Sequence, residues 1–172
     1  MINELPSVFR EIIRDHDDLR SAFAALVATG MKAGEQGPEA APETAVSLGK
    51  RLHEIDGLVG RHVRKEEEGV FPVLRAVLSA GDEPGNTIFE VLEAEHVHLE
   101  KALATLTGMC ASIGSGTTPS PERLDLMVTK LRIVQAEFLA HFMKEEKGIY
   151  SRAAEVLTED GFAKIERALA SL

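Results

Sequence analysis

Only one cysteine, Cys110, occurs in 172 residues, so the chain cannot close an internal disulfide, and it suits a reducing cytoplasm. No apolar run is long enough to cross a bilayer, and no basic segment leading into an apolar one and a cleavage site opens the chain. That argues against a membrane span and a secretory leader. Positive charge is also scarce. Nineteen Lys and Arg face 28 Asp and Glu, a formal charge of −9, which repels phosphate backbones and anionic lipid; neither nucleic acid nor membrane is expected as a partner. Sustained Val/Ile/Thr/Tyr alternation is missing too, and with it the signature of a sheet. What remains is rich in Ala, Leu, Glu, Lys and Arg, the composition of an all-α protein. Its length falls within the range of one domain, expected to span residues 1–172 and to hide roughly 70% of its unfolded surface.

Apolar residues recur at three-or-four spacing in four stretches. The first holds Phe9, Ile12, His16, Leu19, Phe23 and Leu26 and starts just after Pro6, which suits a helix's first turn. After a Gly/Pro-rich segment, Ala33 to Pro42, read as a loop, the second holds Leu48, Leu52, Ile55, Val59, His62 and Glu66, with a bend expected near Gly69 and Pro72. "SAGDEPGN", Ser79 to Asn86, interrupts the pattern before Leu92, His96, Leu99, Leu103, Leu106, Cys110 and Ile113. "GSGTTPSPE" is a further connection, whose Ser120, Pro121 and Glu122 supply an N-cap, a first-turn proline and an acid at the positive end of the helix dipole. The fourth stretch runs through Leu124, Met127, Leu131, Val134, Phe138, His141 and Glu145, and a tail with Phe162, Ile165 and Leu169 reads as a short helix packed on one end.

"HVRKEEEGVF", His62 to Phe71, returns as "HFMKEEKGIY", His141 to Tyr150, at an offset of 79 residues. An offset of 80 sets Asp15-His16 against Glu95-His96 and Leu19 against Leu99. Each half is thus a helical hairpin with a His on its first helix and His-x-x-x-Glu on its second. Duplication implies an up-down four-helix bundle with a pseudo-two-fold axis. Residues four apart lie about 40° apart on successive turns, so each His-Glu pair faces one point. Left unpaired inside an apolar stripe, an ionised Glu and a His would each cost several kcal/mol. A metal neutralises them directly, and four imidazoles with two carboxylates make a nitrogen-oxygen site in which Glu66 and Glu145 could bridge two ions.

Other polar residues fall off this face. His98 lies about 200° from His96 and His53 about 180° from His62, both solvent-facing. Glu67, Glu68 and Glu146 read as a solvated charge run. Glu100, four residues after His96, sits at the stripe's edge as a candidate metal ligand or site-mouth carboxylate, and Asp56 and Gln135 could orient an imidazole but more readily fill boundary-polar roles.

The pattern of His, His-x-x-x-Glu, His, His-x-x-x-Glu over four helices, with "KEEEGVFP" and "EHVHLE" beside it, resembles the hemerythrin-like, or HHE cation-binding, family from about Asp15 to Tyr150. The resemblance implies a di-iron centre, two iron ions bridged by an oxo or hydroxo group. Its ligands would be His16, His62, Glu66, His96, His141 and Glu145, with both glutamates bridging. Oxygen-carrying members use a fifth His and an Asp where this chain has Glu100 and Glu146. The four-His, two-Glu set is more similar to the iron-centre repair branch, associated with nitric oxide and oxidative stress, although no cysteine precedes the first stripe. The resemblance thus implies a centre that binds or reacts with nitric oxide, dioxygen or peroxide. Reversible oxygen or iron binding without turnover, and a bundle fastened by zinc, are the competing readings.

Overall fold

The computed structural model describes residues 5–79, 87–116 and 118–172, and every described element is helical. Helix α1, Ser7–Gln36, follows Pro6 as expected and ends at Gly37, whose positive φ of 83° turns the chain. Helix α2, Ala41–Arg64, begins with Pro42 in its first turn. The connection is therefore Gly37 to Ala40, shorter than the segment Ala33 to Pro42 read as a loop. Ala33, Glu35 and Gln36 are good helix formers and extend α1, while Pro42 lacks only an N–H that a first turn leaves unpaired anyway.

Helix α4, Ile88–Gly114, is held at its start by a capping box, in which the Thr87 hydroxyl accepts from the Glu90 N–H and the Glu90 carboxylate accepts from the Thr87 N–H at 2.8 Å. Helix α5, Pro121–Lys144, has the expected cap: Ser120 Oγ accepts from the Arg123 N–H at 3.3 Å. Such caps contribute about 1 kcal/mol each. The connection expected at Ser79 to Asn86 lies, beyond Ser79, outside the described residues.

Neither α2 nor α5 ends where its α-helical pattern does. Each continues through a π-helical turn, Lys65–Val70 after α2 and Glu145–Tyr150 after α5, and then into a short helix, α3 (Phe71–Leu78) or α6 (Ser151–Val156). The bend expected near Gly69 and Pro72 is this change of winding, with Pro72 in the first turn of α3. Helix α7, Glu159–Leu169, is the short C-terminal helix, capped by Thr158.

The four long helices form a ring in which α1 packs on α2 and α5, and α4 packs on the same two. Sequence neighbours joined by short turns are spatial neighbours, the arrangement of an up-down bundle. The core is in two parts. The larger is built from the stripes of all four helices, from Leu19 to Ala33 on α1 and from Leu99 to Ile113 on α4 among others. The smaller gathers Val8, Phe9, Ile12, Phe71, Leu74, Leu92, Tyr150 and Ile165, so α3, α6 and α7 close one end. Cys110 belongs to the larger part, and burial pushes its thiol up to about 11, the behaviour of an inert packing residue. No described helix is long and apolar enough to cross a membrane.

Candidate metal centre

Between the two apolar clusters lies a polar layer. His16, His62, Glu66, His96, His141 and Glu145 are all buried, none more than 3% exposed. Each interrupts an otherwise apolar stripe: His16 falls between Ile12 and Leu19, His96 between Leu92 and Leu99, His141 just after Phe138. Phe142 stacks on the His16 ring at 4.3 Å between centroids, and Phe71 lies parallel to the His96 ring at 6.0 Å. These rings exclude water and fix the imidazole planes.

All four imidazoles turn Nε2 inward. His141 Nε2 is 2.9 Å from Glu145 Oε1, His16 Nε2 3.3 Å from Glu145 Oε2, His62 Nε2 3.4 Å and His96 Nε2 3.3 Å from Glu66 Oε2. His16, His62, Glu66 and Glu145 form one group whose donor atoms lie within 4.8 Å of one another, and Glu66, His96, His141 and Glu145 form a second. The two carboxylates are common to both. Every inward Nε2, together with Glu66 Oε2 and both oxygens of Glu145, is buried without a hydrogen-bond partner. Buried polar atoms are nearly always satisfied, so this many orphans converging on two points fit cations as their partners.

Electrostatics tells the same story. Burial alone would push His16 down, but the carboxylates of Glu145, Glu146 and Glu66 outweigh it and raise its pKa to about 11. His96 is raised to about 10 against the same penalty by Glu145, Glu66 and Glu67. His62, with weaker compensation, is lowered. Burial and mutual repulsion oppose ionisation of Glu66 and Glu145, yet the surrounding imidazoles hold both below the usual carboxylate range.

The outward nitrogens correct one expectation from the sequence. Glu67 and Glu146, read there as solvated, instead accept from imidazoles: His16 Nδ1 donates to Glu146 Oε1 at 2.7 Å and His96 Nδ1 to Glu67 Oε1 at 2.8 Å. The reason is local winding. A π turn closes over five residues rather than four, so each residue rotates less, and Glu67 and Glu146 do not swing as far from Glu66 and Glu145 as α-helical spacing implies. His141 Nδ1 lies 3.0 Å from Glu95 and His62 Nδ1 4.0 Å from Asp15, the residues immediately before His96 and His16. Lys144 and Lys65 pair in turn with Glu95 and Asp15, and Arg20 with Glu146 at 2.7 Å. Glu146, Glu67 and Glu95 orient the rings of His16, His96 and His141, while Asp15 faces His62 beyond hydrogen-bond distance; the sequence reading had passed all four over, and the alignment of Asp15 with Glu95 and of Glu67 with Glu146 was the signal available.

Tyr150 was also missed. Fully buried and stacked on Phe9 at 5.1 Å, it donates its phenol proton to Glu66 Oε1. Burial and the neighbouring carboxylates push that phenol well above its ordinary pKa, so it stays protonated. Other candidates fall where the helical angles put them. His98 is 64% exposed beside Glu137, His53, Glu68 and Asp56 are exposed, and Gln135 is half-buried. Glu100 is exposed on α4 and joins neither group.

No curated protein and no solved structure matches the chain. The family model described as hemerythrin HHE cation binding domain matches residues 7–153, from the start of α1 to the middle of α6 and so across the whole polar layer. The chain belongs to the hemerythrin HHE cation-binding domain family.

Proposed function

We propose that this metal-binding chain, as one domain, holds two iron ions at His16, His62, Glu66, His96, His141 and Glu145, and that the centre binds or reacts with nitric oxide, dioxygen or peroxide. One observation carries the reading: two four-residue donor groups share Glu66 and Glu145, and their inward atoms have no other partners. Two imidazoles and two shared carboxylates offer each position four protein residues, fewer than the six places of an octahedral ion, which leaves room for an exogenous ligand. Bound iron would supply the redox equivalents and the vacant place for a small oxidant or nitric oxide.

The protein's own part is preparation. Glu146, Glu67 and Glu95 hold the Nδ1–H groups of His16, His96 and His141, fixing the tautomer that leaves Nε2 for metal and raising the basicity of the rings. Phe142, Phe71 and Phe9 keep bulk water from the layer, which suits a small diatomic ligand better than a bulky one. Metal analysis of protein purified without added metal tests the reading, with an absorption spectrum under air. About two irons per chain are expected, and less than one would refute it. Adding oxygen, nitric oxide and peroxide separately to the anaerobically reduced protein then distinguishes a reactive centre from a reversible carrier: a spectrum that returns fully on removing oxygen counts against turnover.

A further inference from the structure

An exact two-fold axis would make the two donor groups identical, yet two departures from it fall on the same side. Tyr150 aligns with Phe71, so Glu66 Oε1 accepts a phenol hydrogen bond while Glu145 has no such donor. Glu145 keeps both oxygens for the layer, Oε2 toward His16 and Oε1 toward His141, whereas one oxygen of Glu66 is engaged. His141 Nδ1 has a carboxylate at 3.0 Å, but its counterpart on His62 stands 4.0 Å from Asp15 and has no hydrogen-bond partner. A cation beside the orienting carboxylate does not divide the groups, since Arg20 pairs with the Glu146 of His16 and Lys144 with the Glu95 of His141.

Each difference acts on donor strength in one direction. A carboxylate oxygen that already accepts a phenol proton gives less to a metal. An imidazole whose Nδ1–H has no carboxylate within hydrogen-bond reach is a weaker donor than one that has. His62 belongs to the His16 group, and the engaged Glu66 Oε1 lies on that side, 3.9 Å from His16 Nε2. We propose that the position between His96 and His141 binds a divalent cation more tightly than the one between His16 and His62, with Tyr150 as the positioning residue that widens the difference. The inference rests on the two-metal reading above. A centre built this way fills in a set order and presents its weaker, more exchangeable ion on the His16 side.

Zinc added stepwise to metal-free protein carrying nitrogen-15 histidine tests it, with the four ring signals followed by NMR. The His96 and His141 signals should move over the first equivalent, and those of His16 and His62 over the second. In Tyr150→Phe, which keeps the ring against Phe9 and removes only the hydroxyl, chelator competition should find the two stepwise dissociation constants closer by about tenfold, the weight of one hydrogen bond to a charged group. Early movement of His16 and His62, or of all four rings together, overturns the proposal, and so does a gap in Tyr150→Phe equal to that of the wild type. The order of filling is read on the wild type alone and needs no variant to fold. Uptake that stops at one zinc per chain is a separate result and refutes the two-metal reading itself.

Discussion

Glu146 gives the sharpest test of how the imidazoles are prepared, because α-helical angles turn it toward solvent and the π turn brings it to His16. Its Oε1 lies 2.7 Å from His16 Nδ1 and 2.7 Å from Arg20, and the side chain is 19% exposed. In Glu146→Ala the Nδ1–H of a fully buried ring loses its acceptor, at a cost of about 1–3 kcal/mol. Losing a carboxylate behind an imidazole that binds metal should separately weaken metal affinity by about 10–100-fold, roughly 1.4–2.7 kcal/mol. Glu68→Ala is the control. It removes the same charge from the other hairpin, at a residue that is 56% exposed and pairs with Arg64 across a single turn, and should change affinity by less than about twofold. Competition of iron(II) or zinc against a chromophoric chelator at neutral pH measures both. A Glu146→Ala affinity equal to that of Glu68→Ala would refute the reasoning and return Glu146 to the solvated charge run.

Three further outcomes follow from the inner carboxylates and the raised imidazoles. Glu145→Ala removes the acceptor that faces His141 at 2.9 Å, His16 at 3.3 Å and His96 at 3.6 Å, so the metal-free protein should lose about 3–5 kcal/mol in urea unfolding; a loss below about 1 kcal/mol would contradict the burial argument. His16 and His96 are raised above 6.5, so what they add to the metal-free fold is complete below pH 6.5 and drains away as pH rises through about 10 for His96 and 11 for His16. Glu66 and Glu145, lowered from 4.5, act oppositely and lose their contribution as pH falls below that value. Because both raised imidazoles must shed a proton to bind metal, loading at neutral pH should release about two protons per chain, seen with an indicator dye in weak buffer; release near zero would show them already neutral.

The fold and the inner layer could be read from the chain because both follow a single period. His16, His62, Glu66, His96, His141 and Glu145 sit where 3.6-residue spacing puts them, and the repeat removed the ambiguity that a lone core histidine carries. The outer carboxylates escaped because the period changes just where they lie. Glu67 and Glu146 were assigned faces by α-helical angles inside turns that are π-helical. Asp15 and Glu95 escaped for a different reason. They act across helices, on His62 and His141, and a contact between helices is fixed by packing rather than by spacing along the chain. Tyr150 combines both difficulties, standing five residues beyond Glu145 and reaching Glu66 on the other hairpin.

The π turns also carry the mark of the repeat. A π turn is one surplus residue lodged in an α-helix, and here the surplus occurs at matching places in both hairpins, Lys65–Val70 and Glu145–Tyr150. Two separate insertions at equivalent sites are a less economical history than one insertion that was then copied. The donors divide in the same way, since His16 leans on Glu146 and His96 on Glu67, each hairpin completing the other. A single hairpin carrying the extra residue could not finish these contacts by itself, so each half of the layer depends on the other for the carboxylate behind its first-helix imidazole.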